Sequence, residues 1–379
     1  MSLINYVTQI YLEYGAIEKI VGECDRNGIC RPLIVTDKGI VAAGLVERVL
    51  ARGLASRVCA VFDDTPPNPN EAAVRAAVEL YRRSEADGII AIGGGSSIDL
   101  AKGVAVCATH EGPLKQFAVV EGGLHRITAS TARVIAVPTT AGTGSEVGRG
   151  AILILDDGRK VGVISPYVVP CSAICDPDMT VGLPPHLTAA TGMDAIAHCI
   201  ETFLSPMFNP PADGIALDGL WRAWRYIAHA VANGDDRTAR LNMMSASLQG
   251  ALAFQKGLGC VHSLSHSLGG INPKLHHGTL NAIFLPAVIR FNRDAQTVVD
   301  EEKISRLAKA MGLTDDSSVE AQIAAQTEAL GLPTRLSQLG VTQALFPKII
   351  DGALADHSHK TNPQIASRDD YLRIIEQSM

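Results

Sequence analysis

The sequence predicts an α/β fold in two parts, a parallel sheet covered by helices and then an all-helical domain. In the first half, short runs of β-branched residues alternate with amphipathic stretches, which is typical of a parallel sheet buried on both faces. From Pro184 and Pro185 onwards the chain is rich in alanine and leucine with a helical period. We therefore expect a domain boundary near residue 183.

The elements of the first half follow in order along the chain. Strands are expected at PLIVT (32–36), VCAVF (58–62), GIIAI (88–92) and RVIAVP (133–138). Helices are expected over about 40–52, 70–84 and 97–108. The segment AILILDDGRKVGVIS (151–165) predicts two further strands joined by an Asp-Asp-Gly turn.

Composition narrows the classes of function. The 379 residues are 47% hydrophobic and 19% charged, so the chain is expected to fold rather than stay disordered. A net charge of −6 and only 4% aromatic residues give nucleic-acid binding little support. Eight cysteines without a CxxC pair indicate reduced thiols and a cytoplasmic protein. We expect neither a signal peptide nor a membrane span.

Three turns rich in glycine or hydroxyl residues follow strands of the first half. AIGGGSSIDLAKG (91–103) places glycines before a helix, where backbone N–H groups can approach a phosphate, although a purely structural turn is the alternative. Asp37 in VTDKG could accept hydrogen bonds from ribose hydroxyls and so favour NAD over NADP, or it could cap a helix. The third turn is PTTAGTGSE (138–146). Together they predict a nucleotide site at the carboxyl ends of the strands.

The second half carries acidic and histidine residues on segments that otherwise predict buried helices. The segments are GMDAIAHCIE (192–201), CVHSLSHSLGG (260–270) and KLHHGTLNA (274–282). Asp194 and His198 are one helical turn apart, as are His262 and His266. Taken singly, each could be a hydrogen-bonded core residue. One carboxylate with three imidazoles would instead suit Fe²⁺ or Zn²⁺.

The order of these motifs resembles the iron-containing (group III) alcohol dehydrogenases, from about residue 10 to the C-terminus. The resemblance implies a Rossmann-like nucleotide-binding domain over 1–183 and an all-α metal-binding domain over 184–379, the dehydroquinate synthase-like architecture, with the active site in the cleft between them. It also implies NAD, with NADP less favoured, and Fe²⁺ or Zn²⁺. A small alcohol or aldehyde substrate and a homodimer or larger homo-oligomer are further implications.

The resemblance also assigns roles to individual residues. The metal ligands are expected to be Asp194, His198, His262 and His277, and His266 is expected to relay the proton without binding metal. The cofactor-binding residues are expected to be Asp37, Gly94, Gly95, Ser96, Asp99, Thr139, Thr140 and Lys160.

The sequence departs from the family pattern at three places. Ser267 replaces the usual proline, and an extra His276 stands beside His277 and could serve as the ligand in its place. Val147-Gly148-Arg149 replaces a segment that often contains threonine. Arg149 could meet a substrate carboxylate or be a solvated surface residue.

The function expected is a metal-dependent NAD(P) oxidoreductase that interconverts a primary alcohol, or a small hydroxy acid, and the aldehyde by hydride transfer. Two alternatives share the scaffold, a metal-free reductase of the maleylacetate reductase type and a zinc polyol dehydrogenase. The complete set of one Asp and three His argues against the metal-free alternative. A structural-metal ligand-binding protein is a third alternative, but structural zinc sites prefer cysteine and such a protein needs no dinucleotide turn.

Overall fold

The computed structural model describes residues 4, 6 and 8–379. The N-terminus, where no signal peptide is expected, therefore lies partly outside the described residues. The chain divides into two compact units. We call Tyr6–Thr140 with Gly144–Gly182 the sheet unit, and Leu183–Met379 with Ala141–Thr143 the helical unit.

The sheet unit contains a six-stranded parallel sheet and a separate antiparallel hairpin. Its strands are β1 (Gln9–Leu12), β2 (Pro32–Val35), β3 (Ala60–Phe62), β4 (Gly88–Gly93), β5 (Val134–Pro138), β6 (Gly150–Ile154), β7 (Lys160–Ile164) and β8 (Ser172–Cys175). The parallel strands lie in the order β1-β8-β5-β4-β2-β3, and β6 pairs with β7. The α/β fold class, the four predicted strands and the hairpin are confirmed, while β1 and β8 were not predicted.

Helices cover both faces of this sheet. Successive residues of a strand point to opposite faces, so each strand contributes to two hydrophobic clusters. Leu33 and Val35 join one buried hydrophobic cluster, and Ile34 between them joins the other. The helices are α1 (Ile20–Arg26), α2 (Lys38–Ala42), α3 (Leu45–Leu50), α4 (Glu71–Arg83) and α5 (Gly95–Thr109). The single helix predicted over 40–52 is wrong: α2 and α3 are separated at Gly44, whose φ of 72° interrupts the helix.

The helical unit contains ten α-helices and, throughout residues 184–379, no strand. They are α6 (Pro185–Leu204), α7 (Pro210–Ala232), α8 (Arg237–Leu252), α9 (Cys260–Ile271), α10 (His277–Asn292), α11 (Gln296–Asp300), α12 (Lys303–Ala310), α13 (Val319–Ala329), α14 (Phe346–Ala355) and α15 (Arg368–Gln377). Helix α6 begins at a proline, which suits the first position of a helix. It packs against α7, α8 and α10, and α9 packs against α10 and α14.

The start of α10 approaches α6 more closely than any side chain would allow. A Cβ atom on Gly278 would lie 2.1 Å from the carbonyl oxygen of Ala190 and 3.1 Å from the Cβ atom of Asp194. Only glycine therefore permits this approach, which brings the neighbouring His277 next to α6.

We predict that Gly278→Ala lowers the free energy of unfolding by about 1–3 kcal/mol, the usual cost of overpacking. The new methyl group must push α10 away from α6. Gly214→Ala, on α7, is the matched control because an added Cβ meets nothing within 4 Å there. Denaturant unfolding compares the two, and equal stability of both variants and the parent would contradict this account of the contact.

A buried carboxyl group in the sheet unit makes stability depend on pH. Glu146 is 2% exposed, and burial raises its pKa from 4.5 to about 7 despite the nearby Lys102 ammonium. The folded state thus holds a proton that the unfolded chain loses near pH 4.5. The resulting stabilisation is present below pH 4.5 and is lost as the pH rises through about 7.

Glu146→Gln should remove this pH dependence. Between pH 4.5 and 7, the free energy of unfolding of the variant should rise relative to the parent by about 3 kcal/mol, at about 1.4 kcal/mol per pH unit. Denaturant unfolding of both proteins at several pH values measures the difference. Parallel stability curves would show that Glu146 ionises normally in the folded protein.

Candidate active site

Four side chains of the helical unit converge on one point. Asp194 Oδ1 lies 3.6 Å from His198 Nε2, 3.8 Å from His262 Nε2 and 3.7 Å from His277 Nε2. The four atoms lie within 4.8 Å of one another, and His277 is the only partly exposed member of this group. Helices α6, α9 and α10 supply them, so the structure brings together all four predicted metal ligands.

The donor set fits a divalent cation. Metal–ligand bonds of about 2.0–2.2 Å place neighbouring ligand atoms roughly 3–3.6 Å apart. The distances from Asp194 Oδ1 to the three imidazole nitrogens, 3.6 to 3.8 Å, are close to this range. Asp194 Oδ1, His262 Nε2 and His277 Nε2 also all face the Asn281 amide nitrogen, at 2.7, 3.2 and 3.1 Å. The three atoms therefore converge on one region. A buried carboxylate is costly without a compensating charge, which a bound cation supplies.

Hydrogen bonds orient two of these imidazoles with Nε2 towards the cluster. His198 Nδ1 lies 3.2 Å from the carbonyl oxygen of Gly142, which can only accept, so this nitrogen carries the hydrogen. His262 Nδ1 lies 2.5 Å from Glu201 Oε2. Burial, together with the neighbouring His198 and His266, lowers the pKa of His262, which favours the neutral form that binds metal.

Glu201 is a functional candidate that the sequence analysis missed. It lies on α6, three residues after His198, and its Oε1 accepts a hydrogen bond of 2.8 Å from the Val261 backbone. Burial raises its pKa to about 7, although hydrogen bonds to the start of α9 oppose this rise. The signal for Glu201 in the sequence was a carboxylate within a largely apolar helical segment. Glu201 ties α6 to α9 and holds the ring of His262.

His266 lies beside the four-residue group without belonging to it. Its ring stacks on that of His277, with centroids 5.3 Å apart and planes inclined by 12°. Its Nδ1 lies 3.0 Å from Asp356 Oδ2, a partner that the sequence analysis also missed. His276 is exposed at the N-cap position of α10, where its side chain makes no capping hydrogen bond, and the group contains His277 rather than His276.

In the sheet unit, the glycine turn after β4 fits a phosphate. Gly94 is the N-cap of α5 and contributes no capping side chain to this 15-residue helix, which begins at Gly95. A Cβ atom on Gly94 would lie 3.2 Å from the side chain of Thr140, so a larger residue would narrow the turn. The uncapped N–H groups and the positive end of the helix dipole are suited to an anion.

Other predicted cofactor residues surround this turn at the carboxyl ends of β2 to β5. Asp37 Oδ1 caps α2 by accepting from the Ile40 backbone at 3.1 Å, so the capping alternative is observed. Its Oδ2 accepts from Ser97 Oγ of α5 at 3.2 Å. The Thr139 backbone donates to the Gly93 carbonyl oxygen at 3.0 Å.

The loop after β3 joins this edge of the sheet, although the sequence analysis did not single it out. Ser96 Oγ donates to the Pro67 carbonyl oxygen, and Lys160 Nζ donates to Asn68 Oδ1 at 2.9 Å. The turns expected to surround a nucleotide are therefore hydrogen-bonded to one another.

Two further residues considered in the sequence, Asp99 and Arg149, lie in the sheet unit. Asp99 is buried, accepts hydrogen bonds from Ser145 Oγ and from the Ile152 backbone, and thereby links α5 to β6. Lys102 Nζ lies 3.9 Å from the same carboxylate. Arg149 is exposed, which matches the surface alternative for this residue.

Comparison with protein families gives two matches that together span nearly the whole chain. Residues 7–177 match the family described as iron-containing alcohol dehydrogenase, and residues 188–379 match the C-terminal family of the Fe-containing alcohol dehydrogenases. This chain belongs to the iron-containing alcohol dehydrogenase family. It is an NAD(P)-dependent oxidoreductase that acts on CH–OH groups, and the candidate metal cluster agrees with the iron-binding character of the family.

Individual relatives of this family member are similar over all or nearly all of their length. A 4-hydroxybutyrate dehydrogenase of Cupriavidus necator is 61% identical and covers 100% of both chains. A 1,3-propanediol dehydrogenase of Klebsiella pneumoniae is 37% identical over 95% of this chain and 94% of its own. The crystal structure of a 1,3-propanediol oxidoreductase has a TM-score of 0.91 at 34% identity, with both chains fully covered. Within the described residues, no helix is long and apolar enough to cross a membrane.

Glu201→Gln should weaken metal binding about 10–100-fold, the usual cost of losing a hydrogen-bond partner of a metal-binding histidine. The amide keeps the shape of the side chain but removes the charge that orients and polarises His262. Competition with a chromophoric chelator measures the affinity. Asp218→Asn, another helical carboxylate of this unit, is the control and should bind metal like the parent. Equal affinity of the Glu201 variant and the parent would show that Glu201 does not support the ligand.

Proposed function

We propose that this enzyme interconverts 4-hydroxybutyrate and the corresponding aldehyde, using NAD. The observation that carries the proposal is the 61% identity over the full length with a 4-hydroxybutyrate dehydrogenase. This substrate is both a primary alcohol and a small hydroxy acid, the two classes expected from the sequence.

We further propose that Asp194, His198, His262 and His277 hold the divalent cation, in a metal-binding domain over 184–379. Bound at these residues, a cation would supply the Lewis acidity that lowers the pKa of the alcohol oxygen, and NAD would supply the hydride acceptor. The hydrogen bonds from Nδ1 of His198 and His262 to Gly142 and Glu201 support this assignment, because they direct both Nε2 lone pairs towards the cluster.

The domain over 1–183 is proposed to bind the cofactor. Gly94, Gly95 and Ser96 would receive the pyrophosphate at the start of α5. The proposed wall of the nucleotide site comprises Asp37, Asp99, Thr139, Thr140 and Lys160. Asp37 supports NAD over NADP, since its carboxylate would repel a 2′-phosphate.

His266 is proposed to accept and release the proton of the reaction. Its Nδ1–H donates to Asp356, so Nε2 carries the free lone pair that can take a proton. The Asp356 carboxylate then stabilises the imidazolium that forms. The stacking of His266 on His277 supports this role, because it holds the base next to the proposed metal ligands.

Assembly and location are also proposals. The family resemblance supports a homodimer or larger homo-oligomer. A cytoplasmic location is supported by the eight free cysteines, which are typical of a reducing compartment.

Metal-reconstituted turnover tests the proposed substrate. The protein is stripped with a chelator, supplied with Fe²⁺ or Zn²⁺ under anaerobic conditions, and assayed through NADH absorbance with 4-hydroxybutyrate, 1,3-propanediol and 1-butanol. We expect kcat/KM for 4-hydroxybutyrate to exceed the other two by at least about tenfold, a difference of roughly 1.4 kcal/mol in transition-state binding. A preference for either neutral alcohol would contradict the proposed substrate, and full activity without metal would contradict the role of the cluster.

His266→Ala should lower kcat by about 10²–10⁴-fold, the usual contribution of a general acid–base group. After reconstitution with one equivalent of Fe²⁺, its iron content should equal that of the parent because His266 is not among the four residues proposed to hold that cation. His198→Ala is the contrasting variant and should lose the metal. Loss of iron from the His266 variant in proportion to its activity would show that His266 is a ligand of the catalytic cation.

A further inference from the structure

A second cluster of potential ligands lies next to the first and is not part of it. His266 Nδ1 lies 3.0 Å and His357 Nδ1 lies 3.7 Å from the same oxygen, Oδ2 of Asp356. The side chains of His266 and Asp356 are each 6% exposed, whereas that of His357 is 28% exposed. One ligand atom from each residue lies within 4.8 Å of the others.

Hydrogen bonds and ring stacking hold the three side chains in place. Asp356 Oδ1 accepts a hydrogen bond of 2.8 Å from the Ser358 backbone, which leaves Oδ2 facing the two imidazoles. The ring of His357 stacks on that of His266, with centroids 5.9 Å apart and planes inclined by 20°. Little ordering is therefore required when a cation binds, and the exposed edge of His357 gives a path from solvent.

The chemistry of this donor set favours zinc. Two imidazole nitrogens and one carboxylate oxygen form a common three-ligand zinc site, which leaves a fourth position for water. Among divalent ions available in cells, Zn²⁺ binds nitrogen-rich sites more tightly than Fe²⁺. A hard, oxygen-seeking ion such as Mg²⁺ would be poorly matched to two imidazoles.

We propose that His266, Asp356 and His357 form a second, zinc-binding site whose occupation inhibits the enzyme. A cation bound to Nδ1 of His266 would break the bond to Asp356 and leave the one hydrogen of the neutral imidazole on Nε2, so Nε2 would have no lone pair with which to accept a proton. The inhibition rests on the proposed role of His266 in the reaction, whereas the binding of zinc does not.

The test adds Zn²⁺ to protein that already holds one equivalent of Fe²⁺, under anaerobic conditions. Both metals are counted per chain by elemental analysis after free ions are removed, and NADH formation is followed in parallel. We expect one Zn²⁺ to bind with the Fe²⁺ retained, and activity to fall with the same midpoint. Absence of a second bound ion, or release of Fe²⁺ as Zn²⁺ enters, would overturn the proposed site.

His357→Ala separates this site from the catalytic cluster. The variant should keep its activity in the absence of added Zn²⁺, which also reports that it is folded. Its midpoint for Zn²⁺ should rise by at least about tenfold, since a ligand is lost rather than an outer partner. His359→Ala is the matched control, because the side chain of this histidine in the same segment bonds to Tyr371.

An unchanged midpoint in the His357 variant would overturn the ligand assignment. Zinc that binds through His357 and leaves turnover unaffected would overturn the inhibition and, with it, the proton role of His266. The count of bound zinc does not depend on the substrate, so failure of the proposed function with 4-hydroxybutyrate would leave the test of the site intact.

Discussion

The position of Asp194 Oδ1 among three imidazole nitrogens, 3.6 to 3.8 Å away, constrains the whole helical unit. One carboxylate can face three rings only if α6, α9 and α10 pack at fixed distances. Gly278 allows α10 to touch the Ala190 carbonyl group, and Glu201 bonds α6 to the first turn of α9. A small displacement of either contact would separate the donor atoms, since metal binding tolerates only a few tenths of an ångström.

In the sheet unit, the order of the parallel strands determines which loops are neighbours. Because β4 lies between β2 and β5, the turns that follow these three strands are neighbours at one edge of the sheet. Asp37, Gly94 and Thr139 reach that edge from segments distant in sequence. Ligands of open α/β sheets bind at such an edge, so the strand order and the proposed nucleotide site have a common origin.

Local patterns in the sequence were sufficient for part of this structure. Pairs one helical turn apart, such as Asp194 and His198, could be recognised because helical geometry alone places them on one face. The contacts between His262 and Glu201 and between His266 and Asp356 span 61 and 90 residues, and no periodicity reveals which helices meet. Strand β8, only four residues long, carries serine and cysteine and lacked a recognisable β-rich pattern. The Gly44 break in the predicted helix depended on a backbone angle rather than on hydrophobic spacing.

X-ray absorption at the iron edge tests most directly whether the metal centre is formed by Asp194, His198, His262 and His277. The protein is reconstituted with one equivalent of Fe²⁺, and the parent is compared with His198→Ala. The account predicts nitrogen and oxygen neighbours at about 2.1 Å, with outer-shell scattering from three imidazoles in the parent. In the His198 variant the iron should be lost or show fewer imidazoles. A sulfur neighbour, or the same imidazole count in both proteins, would contradict the assignment of the metal centre.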